Sequence, residues 1–144
     1  MSKTILHRLF GFGRIPAQYA PALSAEGVIL SDEGIKGTVT FRDFRAPGRY
    51  ANWKRQWFTA SIVLTNERLR AFRHSSQIVD VPLADPRFRR LDFSVEEKTT
   101  LLVAFDAALF HDDWSGGIEY RFATPFAEEF RFKLIERQRP ASAR

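Results

Sequence analysis

The amino-acid sequence predicts a mostly β fold: seven strands that make a sandwich or a partly open barrel, followed by a C-terminal helix and preceded by a short N-terminal helical extension. Three observations predict it. From about Gly34 the apolar residues recur with a period of two, as in half-buried strands. The segments that carry this period are short and punctuated by Gly, Pro, Asn and Ser, as in barrels and sandwiches. After Thr124 the spacing becomes helical and stays so to Gln138.

The chain has 144 residues, enough for one ordinary domain and too few for two. A domain of this size buries about two-thirds of its extended-chain surface. A content of 44% hydrophobic residues, with 14 Phe, 3 Trp and 3 Tyr, supplies the core. The absence of cysteine excludes disulfides, cysteine-ligated zinc and thiol nucleophiles. No run approaches the ~18–20 apolar residues that span a bilayer. Met1 to Arg14 is broken by His7, Arg8, Gly11 and Gly13, unlike a signal peptide. The expected location is cytoplasmic, with any membrane attachment peripheral and on the inner face.

Three regions follow. Residues 1–32 are read as a helix and an extended connector. Ile5, Leu6, Leu9 and Phe10 have helical spacing, whereas Pro16 and Pro21 argue for an extended stretch over 15–24. Residues 33–138 form the barrel and its helix, and 139–144 (RPASAR) a frayed tail. The first strand is read over 35–44, with Ile35, Gly37, Val39, Phe41 and Asp43 on one face and Lys36, Thr38, Thr40, Arg42 and Phe44 on the other. After a loop at Ala46-Pro47-Gly48, aromatic and β-branched residues mark a second strand over 56–65. A turn through Asn66, which tolerates a left-handed backbone, leads to a third strand over 69–74. The fourth, 77–83, falls at a sheet edge because Pro82 lacks a ladder donor. Strands over 88–95, 101–106 and 118–123 complete the set. For the helix, Thr124 is a suitable cap, and Pro125 suits the first turn. Glu128 and Glu129 sit near its start, Lys133 and Arg137 near its end. Ala127, Phe130 and Leu134 share a face. Phe130, Phe132 and Leu134 also alternate like a strand, but caps and length favour the helix.

Two local motifs give a resemblance to a known family. Asn52-Trp53-Lys54-Arg55-Gln56-Trp57-Phe58 looks like the start of the second strand in the pleckstrin-homology-like superfamily, which includes GRAM domains and bacterial pleckstrin-homology-like proteins. Leu64-Thr65-Asn66-Glu67-Arg68-Leu69 is similar to the turn into the third strand of its GRAM-like and bacterial members. The resemblance covers residues 33–138. It implies a seven-stranded, partly open barrel of two orthogonal sheets, a bent sheet closed at one corner by the C-terminal helix, no catalysis, and loops that bind phosphoinositides in some members and peptides or other domains in many. The family's phosphoinositide pattern has a basic residue, any residue, Arg and two apolar residues. Gln56 stands here where that Arg belongs, so headgroup recognition does not follow.

Charge directs attention to one stretch. Residues 36–90 carry 12 basic and 4 acidic residues, while 91–144 carry 7 basic and 10 acidic. A basic half suits an anionic partner, or simply the wet faces of alternating strands. Within it, Arg42, Arg45, Arg49, Trp53, Lys54 and Arg55 are the candidate contacts with an anion, a lipid or a partner, read as one basic loop. Phe44, Tyr50 and Trp53 either project from it towards a partner or cap the barrel end. The expected partner is a protein or a second copy of the chain, with anionic membrane as the alternative; Ile5 to Phe12 is a further candidate membrane contact. Nucleic acid is disfavoured, since Arg87-Phe88-Arg89-Arg90 stands without a recognition motif. His111-Asp112-Asp113 reads as turn chemistry rather than a metal site. No cofactor, small-molecule substrate or catalytic constellation is expected.

Overall fold

The computed structural model describes residues 15–139. The helical reading of Ile5 to Phe10, and residues 140–144 of the tail, lie outside these residues. The described residues form eight strands: β1 (Val28–Ala46), β2 (Arg49–Ala51), β3 (Lys54–Thr65), β4 (Arg68–Arg73), β5 (Ser76–Pro82), β6 (Asp92–Glu96), β7 (Thr100–Asp106) and β8 (Ser115–Ala123). Two α-helices, α1 (Ala20–Glu26) and α2 (Ala127–Gln138), flank them. All pairings are antiparallel, in the order β5-β4-β3-β1-β8-β7-β6, with β2 paired to β1 beside this path.

The expected pair of orthogonal sheets is a single sheet, and it does not close: β5 and β6 are its two ends. The reason lies in β1. Its 19 residues pair with β3 from Val28 to Phe41, and with β8 from Gly37 to Arg45, so one strand joins both halves. Extra residues enter β1 near Ile29 and Gly34, where the register with β3 shifts; Gly34 has φ +69°. Such bulges increase strand twist and let one long strand serve both halves.

Phasing on β3 and β4 explains the core. Phe58, Ala60, Ile62 and Leu64 of β3 face the main core with Leu69 and Ala71 of β4. The opposite face would carry Val63 and Phe72 into water, but α1 covers it. Leu23 and Ile15 pack on Val63 and Phe72, and Tyr19 meets the Phe72 ring edge-on at 5.0 Å. The stretch 15–24 is therefore helical rather than extended. Pro16 precedes a 3-10 turn (Ala17–Tyr19), and Pro21 lies in the first turn of α1, where a missing N–H costs no hydrogen bond.

The remaining differences are local. Residues 86–90 form a 3-10 turn instead of the start of a strand, because the Asp85 carboxylate accepts the Arg87 N–H and Pro86 fixes the entry. The strand begins only at Asp92. Phe44 lies with Val39 and Phe41, not opposite them. Asp43 has φ +46° and adds a residue against β8, which reverses the alternation and buries Phe44 to 1% exposure. The turn after β3 does not use a left-handed Asn66. The Thr65 hydroxyl accepts the N–H groups of Glu67 (3.1 Å) and Arg68 (2.9 Å) instead. Pro82 does lie on the edge strand β5.

Helix α2 buries Ala127, Phe130 and Leu134, and leaves Phe132 exposed. It begins at Ala127, later than expected. Thr124 caps the lead-in turn by accepting the Phe126 N–H at 3.1 Å. Gln138 then donates to the carbonyls of Phe88 (2.9 Å) and Leu91 (2.7 Å), fixing the helix end to the 3-10 turn.

Candidate functional site

The stretch read as a basic loop is a hairpin arm. Pro47 and Gly48, the latter at φ +73°, turn the chain between Ala46 and Arg49. The Asn52 side chain accepts the Asp43 N–H at 2.9 Å, and Trp53 takes φ +58°, so the arm folds directly into β3. Arg42 and Arg45 lie on β1, Arg49 on β2, Trp53 in the turn, and Lys54 and Arg55 on β3. All six are exposed.

The cations sit over aromatic rings. The Arg42 guanidinium lies 4.4 Å from the centre of Trp53, Arg45 4.6 Å from Tyr50, and Arg49 5.5 Å from Phe44. Of the three aromatics, Phe44 caps the core, where it meets Trp114 edge-on at 5.2 Å. Tyr50 and Trp53 project, at 57% and 65% exposure. Gln56 faces the other side of β3 and accepts from Arg73 at 3.2 Å. Lys54 adds an exposed charge beside Trp53.

The hairpin continues into a groove on the outer face of the sheet. Arg55 pairs across from Thr40, and Trp57 from Thr38, which puts both side chains on the face opposite the core. Trp57 is 59% exposed, with Lys36 Nζ 4.3 Å above its ring. Trp57, Lys36 and Arg55 form one bank of the groove, Glu96, Glu97 and Arg121 the other, and Thr38 lies between them. The Arg55 Nε donates to the Thr40 hydroxyl at 3.2 Å. Trp57 and Lys36 were not among the residues singled out from the sequence. The phase of β3 could have found Trp57: if Phe58, Ala60 and Ile62 face the core, Trp57 faces water.

A charge ladder fixes the far bank. Arg121 donates through Nε and Nη2 to the two oxygens of Glu96 (2.8 and 3.2 Å), and through Nη1 to Glu119 at 3.0 Å. Glu119 also meets Arg42 at 2.9 Å. The Arg121 hydrogen bonds hold the Glu96 carboxyl below its ordinary range against the opposing effect of burial, and Arg55 adds to this. The same pairing raises the Arg121 guanidinium further, so it is always charged. The ladder runs from Arg42 on the hairpin to Glu96 at the end of β6 and orients the cations along it.

The other sequence candidates separate from this face. Phe88 is fully buried, and Arg87 is held by Asp85 at 2.7 Å. His111 stacks on Trp114 with ring centres 3.7 Å apart. Among the described residues no three His, Asp or Glu side chains are grouped to hold a metal ion, and no helix is long and apolar enough to cross a membrane. Ile5 to Phe12 lies outside the described residues. No protein-family model matches the chain, and no curated protein matches it.

Proposed function

We propose that this chain is a non-catalytic interaction module of pleckstrin-homology-like type, cytoplasmic, that joins a protein partner or a second copy of itself through the hairpin face around Trp53 and Trp57. The observation that carries the reading is the exposure of three large aromatics on one arm: Tyr50 at 57%, Trp53 at 65% and Trp57 at 59%. Exposed aromatics on one face suit an interaction site, because Trp, Tyr and Arg are the residue types that dominate binding energy at interfaces. Each of these rings has a cation over it, so the face offers apolar area and directional charge together. The strand order supports the fold side of the reading. With β2 set aside as an arm, a four-strand meander and a three-strand meander meet at β1 and β8, and a helix follows.

Self-association is the form that needs no identified partner to test. Light scattering over a range of protein concentrations should show a molar mass rising from monomer towards dimer. The variant Trp53→Ser/Trp57→Ser should remain monomeric throughout. A wild-type chain that stays monomeric at high concentration would sink self-association.

A second reading, attachment to anionic membrane, is favoured by the position of Tyr50 and Trp53 beside Arg45, Arg49 and Lys54 at the arm. Amphipathic rings next to cations suit the headgroup region of an anionic leaflet. Pelleting with phosphatidylserine vesicles, but not with phosphatidylcholine vesicles, weakened by salt, is the expected result. Equal pelleting of a variant carrying Arg45→Glu, Arg49→Glu, Lys54→Glu and Arg55→Glu would refute the assignment to this arm.

A further inference from the structure

The open groove beside Trp57 measures about 820 Å³. Arg55 and Trp57 stand on β3 at one bank, Glu96 and Thr100 on β6 and β7 at the other, with β1 and β8 between them. From β3 to β7 is three strand spacings, about 14 Å along the sheet, wide enough for one extended chain with its side chains. The groove runs along the strands, so such a chain would lie parallel or antiparallel to β3.

Charge is distributed unevenly across it. Arg42, Glu119, Arg121 and Glu96 neutralise one another within the ladder. Three exposed charges remain at the groove: Lys36 and Arg55 on the near bank, Glu97 on the far bank. Among the described residues none of the three forms an ion pair. The Arg55 Nε is held by the Thr40 hydroxyl at 3.2 Å, which leaves both terminal nitrogens to a ligand. Arg55 and Trp57 are two residues apart on one face of β3, so they stand about 7 Å apart along the groove. Lys36 Nζ lies 4.3 Å above the Trp57 ring, which puts the second cation at that step. An extended chain sets its residues i and i+2 on one side at the same spacing.

We propose that the groove holds an extended acidic segment of a protein partner, with carboxylates at positions i and i+2 towards Arg55 and Lys36, and an uncharged or basic residue between them towards Glu97. This occupant rests on the reading of the Trp53–Trp57 face as a protein-binding surface. The chain has no two acidic residues at that separation, so a second copy does not supply such a segment. A nucleic-acid strand carries a charge at every nucleotide and would meet the Glu97 carboxylate as well as the cations.

The test titrates the full-length protein with a capped seven-residue peptide that has glutamate at its third and fifth positions and threonine elsewhere, followed by amide NMR spectra. Saturable shifts at Thr38, Arg55 and Trp57, weakened by salt, are expected. The variant Lys36→Gln/Arg55→Gln should bind about 2- to 30-fold more weakly, the contribution of two exposed ion pairs. Glu97→Gln should bind more tightly, and a peptide with the two glutamates adjacent more weakly. These substitutions are on exposed residues, so the fold is not at stake. Equal binding of a peptide with glutamine in place of both glutamates, or unchanged binding by the double variant, overturns the acidic occupant and leaves the face as a protein-binding surface. The absence of shifts at these amides with the glutamate peptide overturns it too, while the face itself is judged by light scattering of Trp53→Ser/Trp57→Ser. Tighter binding of an oligouridylate, or shifts of the same amides on dilution of the protein alone, would put nucleic acid or a second copy in the groove instead.

Discussion

Arg70 of β4 and Glu26 at the end of α1 form a buried ion pair, Nη2 to Oε2 2.7 Å, with side chains 9% and 10% exposed. The Thr65 hydroxyl donates to the other carboxylate oxygen at 2.9 Å. Burial on its own would raise the Glu26 carboxyl. The bonds from Arg70 and Thr65, with the charges of Arg70 and Arg68, outweigh it and hold the carboxyl below its ordinary range. Because the folded value is depressed, the stability that the pair contributes is present above the ordinary glutamate range. It is lost as pH falls through the folded value.

Glu26→Ala would leave Arg70 buried without a counter-charge, a change that costs about 3–5 kcal/mol. Urea unfolding at neutral pH should show that loss. The gap between wild type and variant should narrow as the pH is lowered through and below the ordinary glutamate range. A gap that stays constant into acid would mean that the pair does not hold α1 to the sheet.

Thr124 joins the last helix to the first strand. Its hydroxyl donates to Asp32 Oδ2 at 2.7 Å and accepts the Phe126 N–H, with both residues nearly inaccessible. Thr124→Val keeps the shape and removes both bonds, leaving a buried carboxylate oxygen short of one donor. The expected loss is about 1.5–3 kcal/mol, as for hydrogen bonds to charged groups. Thr124→Ser should recover most of it. A small loss for Val with a large loss for Ser would assign the effect to packing of the methyl group instead.

Much of this fold is legible in the sequence wherever one physical signal acts alone. The alternation over β3, β4, β7 and β8, the edge position of Pro82 and the face formed by Ala127, Phe130 and Leu134 are of that kind. Helix α1 was hidden because Pro16 and Pro21 read as breakers, although both stand where a helix start tolerates them. The face of Phe44 was hidden because nothing in Arg42-Asp43-Phe44 announces a left-handed Asp43. The six candidate cations and aromatics do lie on one arm, but as strands, since the pairing of Arg45 with Tyr50 is a long-range choice.

The exposed and buried aromatics of the arm should respond oppositely to truncation. Trp53 and Trp57 are each more than half exposed, so their replacement by Ser should cost less than about 1 kcal/mol each, the value of an exposed cation–aromatic contact. Phe44, at 1% exposure and in contact with Phe41 and Trp114, should cost about 3–5 kcal/mol on replacement by Ala. Thermal unfolding of the three variants separates the cases. A large loss for either Trp would make that residue part of the fold rather than of a binding face.

Gly116 is dictated by the bulge at Asp43. It has φ +95°, and a Cβ built on it would overlap the main-chain carbonyl of Asp43 and lie 2.7 Å from the Arg42 oxygen. Gly48 is the natural comparison, with φ +73° and nothing within 4 Å of a Cβ. Gly48→Ala should therefore cost only the left-handed backbone penalty, about 1–2 kcal/mol. Gly116→Ala carries a comparable or larger penalty, about 1–3 kcal/mol, plus the displacement of β1 from β8. That displacement moves the bulge that turns Phe44 inward, so Gly116→Ala should also change the near-ultraviolet circular dichroism of the Phe44–Trp114 contact, while Gly48→Ala should not. Equal stability losses and unchanged spectra for both variants would show that β1 and β8 do not need their close approach at Asp43. The arm would then owe its position to the Asn52 bond to Asp43 alone.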